Sequence, residues 1–532
     1  MSGETSPGQE QVRAAELIAA LCLATDLGTG LPFEHGLHST LFAMRLADRL
    51  GVDAGTATQT YYGCLLFYVG CTADAEVVAD LFTEGGLAKH FSPVMFGSRG
   101  ETIAGILRAL APVGGPLPVR ALQAASRLPR AVREHQRHIA ALCEVAQMLT
   151  ERLGLPQSVS SLSAHLTERW DGNGEPVGIK GEEIPLPLRI VHVARDAAFQ
   201  RLLGGKDYAA RVVRERAGHA FDPAIANLLA DEASEVLTLD EDTTAWGETI
   251  ASEPGPVLTL DGEAVDRALA AMGDFADLMS PYLVGHSRGV AELAAQAGSR
   301  CGLGTAEAST LRRGAFVHDI GRVAVSARIW QKPGPLTPDE WEHVRLHAYH
   351  SERVLAHAPL LAALAPVATA HHERLDGSGY HRRAVAAALS PPARLLAAAD
   401  AYHAMTEPRP HRDPCSPAQA ADTLGTEARA GRLDADAVAV VLEAAGQQVP
   451  RFDRPAGLTE REAQVIALLA RGLQTKQIAR ALGISAKTAD RHVQNAYGKI
   501  GVSTRASAAL FAMQHGLTAW GELPMARTAL RS

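Results

Sequence analysis

Apolar residues recur at helical spacing along most of this chain. In HSRGVAELAAQA (286–297) and in REAQVIALLARGL (461–473) they lie three to four positions apart, which is the spacing of one face of an amphipathic helix. Alanine, leucine, arginine and glutamate are plentiful, and runs of β-branched residues typical of strands are few. The pattern therefore predicts an all-α protein.

Length and composition then suggest how many domains there are. The chain has 532 residues, of which 47% are hydrophobic and 21% charged, so about three to four domains with ordinary cores are expected. An acidic stretch at 231–256 ends in Pro and Gly, and a polar stretch at 446–457 carries two prolines. These shifts predict boundaries near residue 250 and near residue 452.

Charge and cysteine usage restrict the class of protein. The net charge of −8 excludes a protein that is basic throughout and binds nucleic acid over its whole surface, although a local basic module remains possible. The six cysteines form no C-x-x-C and are interpreted as reduced core thiols. No basic-then-apolar signal begins the sequence and no uncharged apolar stretch reaches about 18 residues. We therefore expect a cytoplasmic protein without membrane contact.

Two pairs of segments indicate an internal duplication. ERWDGNGEPVGIKGEEIPLPLRI (168–190) and ERLDGSGYHRRAVAAALSPPARL (373–395) share E-R-x-D-G-x-G and a proline-rich approach to an Arg-hydrophobic pair. Upstream, HSTLFAMRLADRLGV (38–52) resembles HSRGVAELAAQAGSRCGL (286–303). Because order and spacing agree over more than a hundred residues, the chain is interpreted as a tandem repeat followed by a small third unit.

The second repeat carries an ordered set of possible metal ligands at helix ends and helix faces. They are His286, His318, Asp319, His347, His371, His372 and Asp400. A single histidine is more often a surface or core residue, but a buried His-Asp pair repeated over several segments is costly without a cation. Imidazole and carboxylate without thiolate suit iron, manganese, zinc or nickel. Two such ions about 3.5–4 Å apart can clamp the attacking and leaving oxygens of a phosphodiester.

This set, with HDIG at 318–321 and DGSGY at 376–380, resembles the HD-GYP branch of the HD phosphohydrolases over roughly 275–445. The resemblance implies a helical bundle with a two- or three-metal centre, often iron or manganese, that hydrolyses cyclic di-GMP. It implies that the seven residues are the metal ligands and that Asp319 bridges the ions. We expect two divalent ions, iron or manganese.

The remaining residues of the expected active site also follow from this resemblance. Arg322 stands where the family usually has Lys, and it keeps a cation that cannot shuttle a proton near pH 7. The family's G-Y-P reads Gly-Tyr380-His here. Arg409 and Arg412 match basic positions that can hold substrate phosphate, the alternative being ordinary solvated charge. The expected site is therefore catalytic Asp319 and Arg322, with Tyr380, Arg409 and Arg412 binding substrate.

The first repeat keeps the frame but has lost the ligands. Phe67 and Tyr68 replace the His-Asp pair, Leu166 and Thr167 replace the two adjacent histidines, and Arg195 stands at the last Asp. Such side chains cannot bind a divalent ion, which indicates a degenerate lobe for dimerisation, packing or ligand sensing. The alternative is that Glu34, His38 and His165 hold one ion.

The last segment, 458–517, predicts a helix-turn-helix. Thr459 and Glu462 form a T-x-x-E capping box, Gly472 and Gly483 end successive short helices, and Ser485 caps the next. The segment has eight Lys or Arg and three Asp or Glu, a net charge of 8 − 3 = +5 that suits the phosphate backbone of DNA.

This segment closely resembles the LuxR-type C-terminal module through LTEREAQVIALLARGL, KQIARALGIS and RHVQNAYGKIGV. The resemblance implies DNA binding as a dimer, with 486–499 in the major groove and STRASAALFAMQ at the dimer contact. The DNA-binding residues expected on the recognition helix are Lys487, Thr488, Arg491, His492, Asn495 and Lys499.

The sequence thus predicts two HD-type helical bundles in tandem and a C-terminal four-helix helix-turn-helix domain, at 1–250, 258–448 and 455–520. The leading hypothesis is a cyclic di-GMP phosphodiesterase coupled to a transcription-regulator module and acting as a homodimer. Two alternatives stay open. One is a weakly active or inactive regulator that senses nucleotide, and the other is an HD phosphohydrolase acting on a different nucleotide.

Overall fold

The computed structural model describes residues 11–73, 75–82, 87–111, 116–239, 244–450 and 455–517. In these ranges the strands are β1 (Val12–Arg13) and β2 (Thr259–Leu260), which pair antiparallel with Val12 opposite Leu260. The rest of the regular structure is helical, and the all-α prediction is confirmed. The predicted boundary near residue 452 and the outer ends of the first and third predicted domains lie outside the described residues.

By their contacts the residues form two compact units. One comprises Met1–Ser287 with Asp319–Ala363, and the other Arg288–His318 with Leu364–Ser532. The first lobe comprises residues 11–251, the second lobe residues 262–444 and the C-terminal module residues 455–517. The domain boundaries drawn from the sequence stay predictions.

The first lobe contains eleven of the helices in the described ranges. They are α1 (Ala14–Thr29), α2 (His35–Leu50), α3 (Ala54–Leu65), α4 (Ala75–Leu81), α5 (Arg99–Leu110), α6 (Leu117–Arg152), α7 (Gln157–Ser160), α8 (Leu186–Glu215), α9 (Pro223–Asp231), α10 (Ala233–Val236) and α11 (Ala245–Ala251). A 3₁₀ turn, Val69–Thr72, follows α3. Helix α8 is kinked at Gly205, whose φ of 81° is outside the helical region.

The second lobe contains nine helices in the described ranges. It consists of α12 (Gly262–Asp277), α13 (His286–Arg300), α14 (Thr305–Val317), α15 (Ala327–Trp330), α16 (Pro338–Leu355), α17 (Pro359–Ala368), α18 (Pro391–Thr406), α19 (Pro417–Arg429) and α20 (Ala435–Ala444). A 3₁₀ turn, Ile320–Ala324, follows α14. Helices α16, α18 and α19 begin with proline, and the preceding Thr337, Ser390 and Ser416 accept a backbone N–H of the first turn.

Matching contacts inside the two lobes support the duplication. Glu168 accepts from the backbone N–H groups of Val177 and Gly178, and Glu373 accepts from those of Arg382 and Ala384. Both glutamates are buried, so each holds the loop after its E-R-x-D-G-x-G motif.

A second pair of contacts repeats at the start of the last long helix of each lobe. Arg189 on α8 donates to Asp222, which caps α9, at 2.9 Å. Arg394 on α18 donates to Asp434, which caps α20, also at 2.9 Å. The same Arg-to-cap ion pair therefore ties corresponding helices together in both lobes.

The structure corrects one pairing between the repeats. Asp26 accepts from Gly36 N at 3.1 Å, and Asp277 accepts from Ser287 N at 2.9 Å. The histidine before each of these amides starts its helix, so His35 corresponds to His286 and the predicted pairing of His38 with His286 is wrong. Positions three apart share a helix face, so the His-Ser dipeptide could not fix the register.

The C-terminal module has the predicted four helices, α21 (Glu460–Ala470), α22 (Thr475–Ala481), α23 (Ala486–Ile500) and α24 (Arg505–Gln514). Thr459 and Glu462 form the predicted capping box, and Ser485 caps α23 through Thr488 N. The module has its own apolar core, in which Val493 and Ala496 are buried and Ile500 packs against them.

Candidate metal centre

Asp319 lies among two of the predicted ligands and Arg322. Helix α14 ends just before it, so its backbone begins the 3₁₀ turn rather than continuing the helix. Oδ1 is 3.2 Å from His347 Nε2, and Oδ2 is 3.7 Å from His286 Nε2 and 2.5 Å from Arg322 Nη2. Each carboxylate oxygen therefore faces one imidazole nitrogen, as suits a bridging carboxylate. All four side chains are buried.

Asp400 has a similar arrangement of its own. Its Oδ1 is 3.8 Å from His318 Nε2 and its Oδ2 is 3.7 Å from His372 Nδ1. The His371 ring lies 4.8 Å from the His318 ring and 4.2 Å from the His372 ring. Ligand atoms around one cation held at about 2.1 Å lie about 3.4 Å apart in tetrahedral geometry, so these donors lie close to the spacing that a shared cation requires.

Three of the histidines have a fixed tautomer. The Nδ1 atoms of His318, His347 and His371 lie 2.7, 2.5 and 2.7 Å from the carbonyl oxygens of Ala315, Val344 and Ala368, in each case three residues earlier. Because a carbonyl only accepts, Nδ1 carries the proton and Nε2 keeps its lone pair. Metal-binding histidines are oriented in this way, so the donor set fits a divalent cation.

Gly321 allows His347 to approach Asp319. A Cβ at this position would lie 2.2 Å from His347 O and 2.3 Å from Ser351 N, and Gly321 N donates to Ser351 Oγ at 2.9 Å. A side chain there would push α16 away. Gly70 is packed equally tightly in the first lobe, because a Cβ added there would lie 2.0 Å from Leu142 O. Leu142 therefore occupies the position that His347 has in the second lobe.

Sequence analysis missed one supporting carboxylate. Asp277 accepts from both N and Oγ of Ser287, at 2.9 Å each, and so holds the turn at which His286 enters α13. Burial raises its pKa to about 6. The signal was present in the repeat, because Asp26 and Asp277 both precede the corresponding histidine by nine residues.

The predicted substrate-binding residues lie around α18 and its neighbouring loops. The Tyr380 ring lies 4.3 Å from the His372 ring. Arg409 Nη2 donates to Glu407 at 2.8 Å. Arg412 donates to the carbonyls of Ala404 and Met405 at 2.6 and 3.0 Å, which satisfies acceptors at the end of α18. Phosphate binding by these arginines stays a prediction.

The corresponding region of the first lobe is filled by Arg195. Its guanidinium lies 4.7 Å from the Phe67 ring centroid and 4.2 Å from that of Tyr68, and Nη1 donates to Cys64 O at 3.1 Å. Arg195 is 4% exposed. A side-chain cation thus stacks on the two residues that replace His318 and Asp319.

No cluster of ligand atoms links the alternative first-lobe ligands. In the described ranges, groups of three or more His, Cys, Asp or Glu with ligand atoms within 4.8 Å of one another include none of Glu34, His38 and His165. The buried His192 of this lobe bonds to Leu166 O through Nε2 at 2.9 Å, and burial lowers its pKa to about 4. Its role is therefore structural.

The predicted DNA-binding residues lie on α23 of the C-terminal module. Lys487, Arg491 and Asn495 are exposed, whereas Thr488 and His492 are half-buried. Lys499 is exposed as well, but it donates to Glu462 Oε2 at 2.6 Å and to Gly457 O at 3.0 Å. Lys487, Arg491 and Asn495 are therefore accessible to DNA on one face of α23, whereas Lys499 also stabilises the capping box of α21.

Two protein-family profiles match parts of both lobes and of the C-terminal module. The HD domain profile matches residues 102–225 and 270–437, which together exceed half of the chain. The profile of bacterial regulatory proteins of the luxR family matches residues 456–512. Within the described ranges, no helix combines the length and apolar character needed to cross a bilayer.

Curated relatives and a solved structure extend this likeness. The 3'3'-cGAMP-specific phosphodiesterase 3 of Vibrio cholerae is 28% identical over 415 residues, 76% of this chain and 89% of that protein. The cyclic di-GMP phosphodiesterase of Thermotoga maritima is 34% identical over 131 residues, 24% of this chain and 36% of that protein.

A crystal structure of a cyclic GMP-AMP-specific phosphodiesterase of V. cholerae matches with a TM-score of 0.57 and 23% identity, over 82% of this chain and 99% of that one. This match concerns the fold. Together with the family profiles, it supports one conclusion: the chain belongs to the HD domain family and carries a C-terminal domain of the luxR family of bacterial regulatory proteins.

Proposed function

We propose that this protein is a metal-dependent phosphodiesterase of cyclic dinucleotides whose C-terminal module binds DNA. The observation that carries the proposal is the pair of buried carboxylates, Asp319 and Asp400, each with one histidine nitrogen facing each oxygen. Because His318 and Asp319 are consecutive, we propose that both groups belong to one centre. The named activities of the relatives support cyclic dinucleotides as the substrate class.

In this proposal the seven predicted ligands hold two divalent cations, iron or manganese. Such cations supply Lewis-acid activation of a phosphodiester and of water. The chain's own residues orient the donors: the three Nδ1–carbonyl bonds place the proton of each neutral imidazole on Nδ1 and leave Nε2 of His318, His347 and His371 as the atom that can bind a cation. Arg322 adds a permanent positive charge beside Asp319, which suits a phosphate oxygen.

The first experiment measures metal content by mass spectrometry together with hydrolysis of 3'3'-cGAMP and cyclic di-GMP. We expect about two ions per chain in the wild type. Asp319→Ala should lose bound metal and reduce hydrolysis by about a thousandfold or more. Asp413→Ala, which removes an exposed carboxylate after α18, is the matched control and should keep both properties.

A second candidate is a regulator that senses nucleotide without turnover. Arg322 favours it, because a guanidinium cannot exchange a proton near neutral pH. Metal-loaded wild type that binds 3'3'-cGAMP tightly and forms no product would replace the phosphodiesterase proposal with this one. Cleavage of another nucleotide, with neither binding nor cleavage of these two, would favour an HD phosphohydrolase of different specificity.

The DNA-binding proposal rests on the exposed face of α23. Arg491→Ala should weaken binding to the operator about tenfold by removing a contact to DNA, with metal content unchanged. Gln494→Ala, an exposed neighbour on the same helix, serves as the control. Operator binding by Arg491→Ala equal to that of wild type would contradict the assigned face.

We further propose a cytoplasmic homodimer, since the DNA partner and the luxR-family likeness favour both features. Helix α24 is the expected dimer contact, and Leu510 on it is 55% exposed, so its side chain is accessible to a second copy of the chain. Leu510→Glu should shift the sedimentation of the full chain from dimer to monomer without changing metal content. A dimer that survives this change would place the contact elsewhere.

A further inference from the structure

Arg322 has two nitrogen donors that make no hydrogen bond within the part of the chain that the structure describes. The residue is 5% exposed, and its Nη2 pairs with Asp319 Oδ2 at 2.5 Å. Its Nε and Nη1 are buried and have no hydrogen-bond partner among the described residues. A buried guanidinium with unsatisfied N–H groups is costly, and the oxygens of a phosphate group are acceptors that such a fork binds well.

Trp330 holds this guanidinium from behind. The Arg322 Cζ lies 5.5 Å from the centroid of the Trp330 ring, within the range of a cation–π contact. Trp330 Nε1 also donates to the backbone oxygen of Arg322 at 3.2 Å. One side chain thus contacts both the backbone and the charged group of Arg322, which restricts the long arginine side chain to few rotamers.

The same ring touches a predicted metal ligand. Trp330 meets the His347 ring edge-on, with centroids 5.9 Å apart and an interplanar angle of 70°. In the first lobe, the residues at the same spacing from the replaced His-Asp pair are Cys71 and Ala79. The lobe without metal ligands therefore lacks both the arginine and the tryptophan.

We propose that Trp330 is a positioning residue for Arg322 and that it orients Nε and Nη1 to bind a phosphate oxygen of the cyclic dinucleotide. This inference rests on the proposed function. Trp330 does not touch substrate in this account. Trp330 acts through Arg322, so removing Trp330 from a variant that already lacks Arg322 should not lower kcat/KM further.

The test is a double-mutant cycle on the full-length, manganese-loaded protein with 3'3'-cGAMP. Arg322→Ala and Trp330→Ala should each lower kcat/KM by about tenfold or more, with metal content unchanged, and the double variant should lose no more than Arg322→Ala alone. Trp330→Phe keeps a stacking ring and should recover most of the rate. Trp341→Phe changes an exposed tryptophan on α16 and is the matched control.

Three results with the variants would overturn the inference. Multiplicative losses in the double variant would mean that Trp330 acts independently of Arg322. Loss of bound metal in Trp330→Ala would assign its effect to His347, and an unchanged rate would remove any role. If the metal-loaded wild type binds 3'3'-cGAMP without hydrolysing it, the phosphodiesterase proposal fails but the inference about Trp330 does not. The double-mutant cycle is then carried out on the Kd for 3'3'-cGAMP, measured by calorimetry. A wild type that neither binds nor cleaves it overturns both.

Discussion

In the second lobe the helix α18 presents Asp400 to His318 and His372, whereas the corresponding helix α8 of the first lobe presents Arg195 to Phe67 and Tyr68. One lobe surrounds a buried negative charge with imidazoles, and the other surrounds a buried positive charge with aromatic rings. The first arrangement suits a metal cation, whereas in the second the cation is the guanidinium of Arg195.

The frame of a lobe does not depend on the side chains at the predicted ligand positions. The contacts that hold the lobe together are kept: Glu168 and Glu373 bind their loops alike, and the Arg189–Asp222 pair matches Arg394–Asp434. The side chains at the positions of the predicted metal ligands differ, as Phe67, Tyr68 and Arg195 show. The first lobe is therefore folded on the same frame, with packing in place of ligation.

The strongest way to break the comparison is to move the first lobe's charge into the second. Asp400→Arg should abolish metal binding and lower hydrolysis by about a thousandfold or more, since a cation would replace a ligand. Metal analysis and the 3'3'-cGAMP assay measure both effects. Asp413→Arg adds the same charge at an exposed position after α18 and should change neither. Metal retained by Asp400→Arg would show that Asp400 is not a ligand.

The reciprocal change removes the first lobe's internal cation. Arg195→Met should destabilise the protein by about 3 kcal/mol, because a desolvated cation–π contact and a buried hydrogen bond are lost together. Urea denaturation measures this change, and metal content per chain should stay constant. Arg211→Met removes an exposed cation–π contact to Tyr208 on the same helix and should cost under about 1 kcal/mol. Equal costs would contradict a special role for Arg195.

Asp26 gives the first lobe a distinct pH dependence. Burial raises its pKa from 3.8 to about 7, so the folded state binds the proton more tightly than the unfolded state. Stability from this group is complete below pH 4 and is lost as the pH rises through 7. Between pH 5 and pH 7 this group should lower the free energy of unfolding of the wild type by about 2 kcal/mol, and Asp26→Asn should not show this decrease.

His35 and His192 change the stability in the opposite direction. Both histidines are present in the variant and in the wild type, so the difference between the two proteins isolates Asp26. Burial lowers the pKa of His35 to about 3 and that of His192 to about 4, so their contribution to stability rises with pH through 6.5. Urea titrations at several pH values provide the measurement. Parallel pH profiles for the variant and the wild type would refute the assignment to Asp26.

The smallest expected difference concerns the two matching arginines. Arg394 also donates to Gly516 O in the C-terminal module, whereas Arg189 makes a cation–π contact with Trp170 instead. Only Arg394→Ala should therefore speed hydrogen exchange at Leu517 N, which bonds to Ala512 O. Identical exchange in the two variants would rule out a role of Arg394 in holding the module.

The sequence by itself determined the helical class, the tandem repeat and the four helices of the C-terminal module. Helical spacing, cap residues and the repeated E-R-x-D-G-x-G motif are local signals, and each survives in the structure because local backbone preference agrees with the fold there. The same signals identified the first-lobe residues at the positions of predicted ligands, since Phe67 and Tyr68 stand where the second repeat has His318 and Asp319.

Tertiary structure alone decided the contacts made by those residues. His35 rather than His38 pairs with His286 because the bond from Asp26 to Gly36 N fixes the helix start, and helical periodicity does not distinguish positions one turn apart. Nothing local revealed that Arg195 stacks on Phe67 and Tyr68, or that Trp330 supports Arg322. These contacts join segments that meet only after folding, and burial then fixes which charges each lobe can hold.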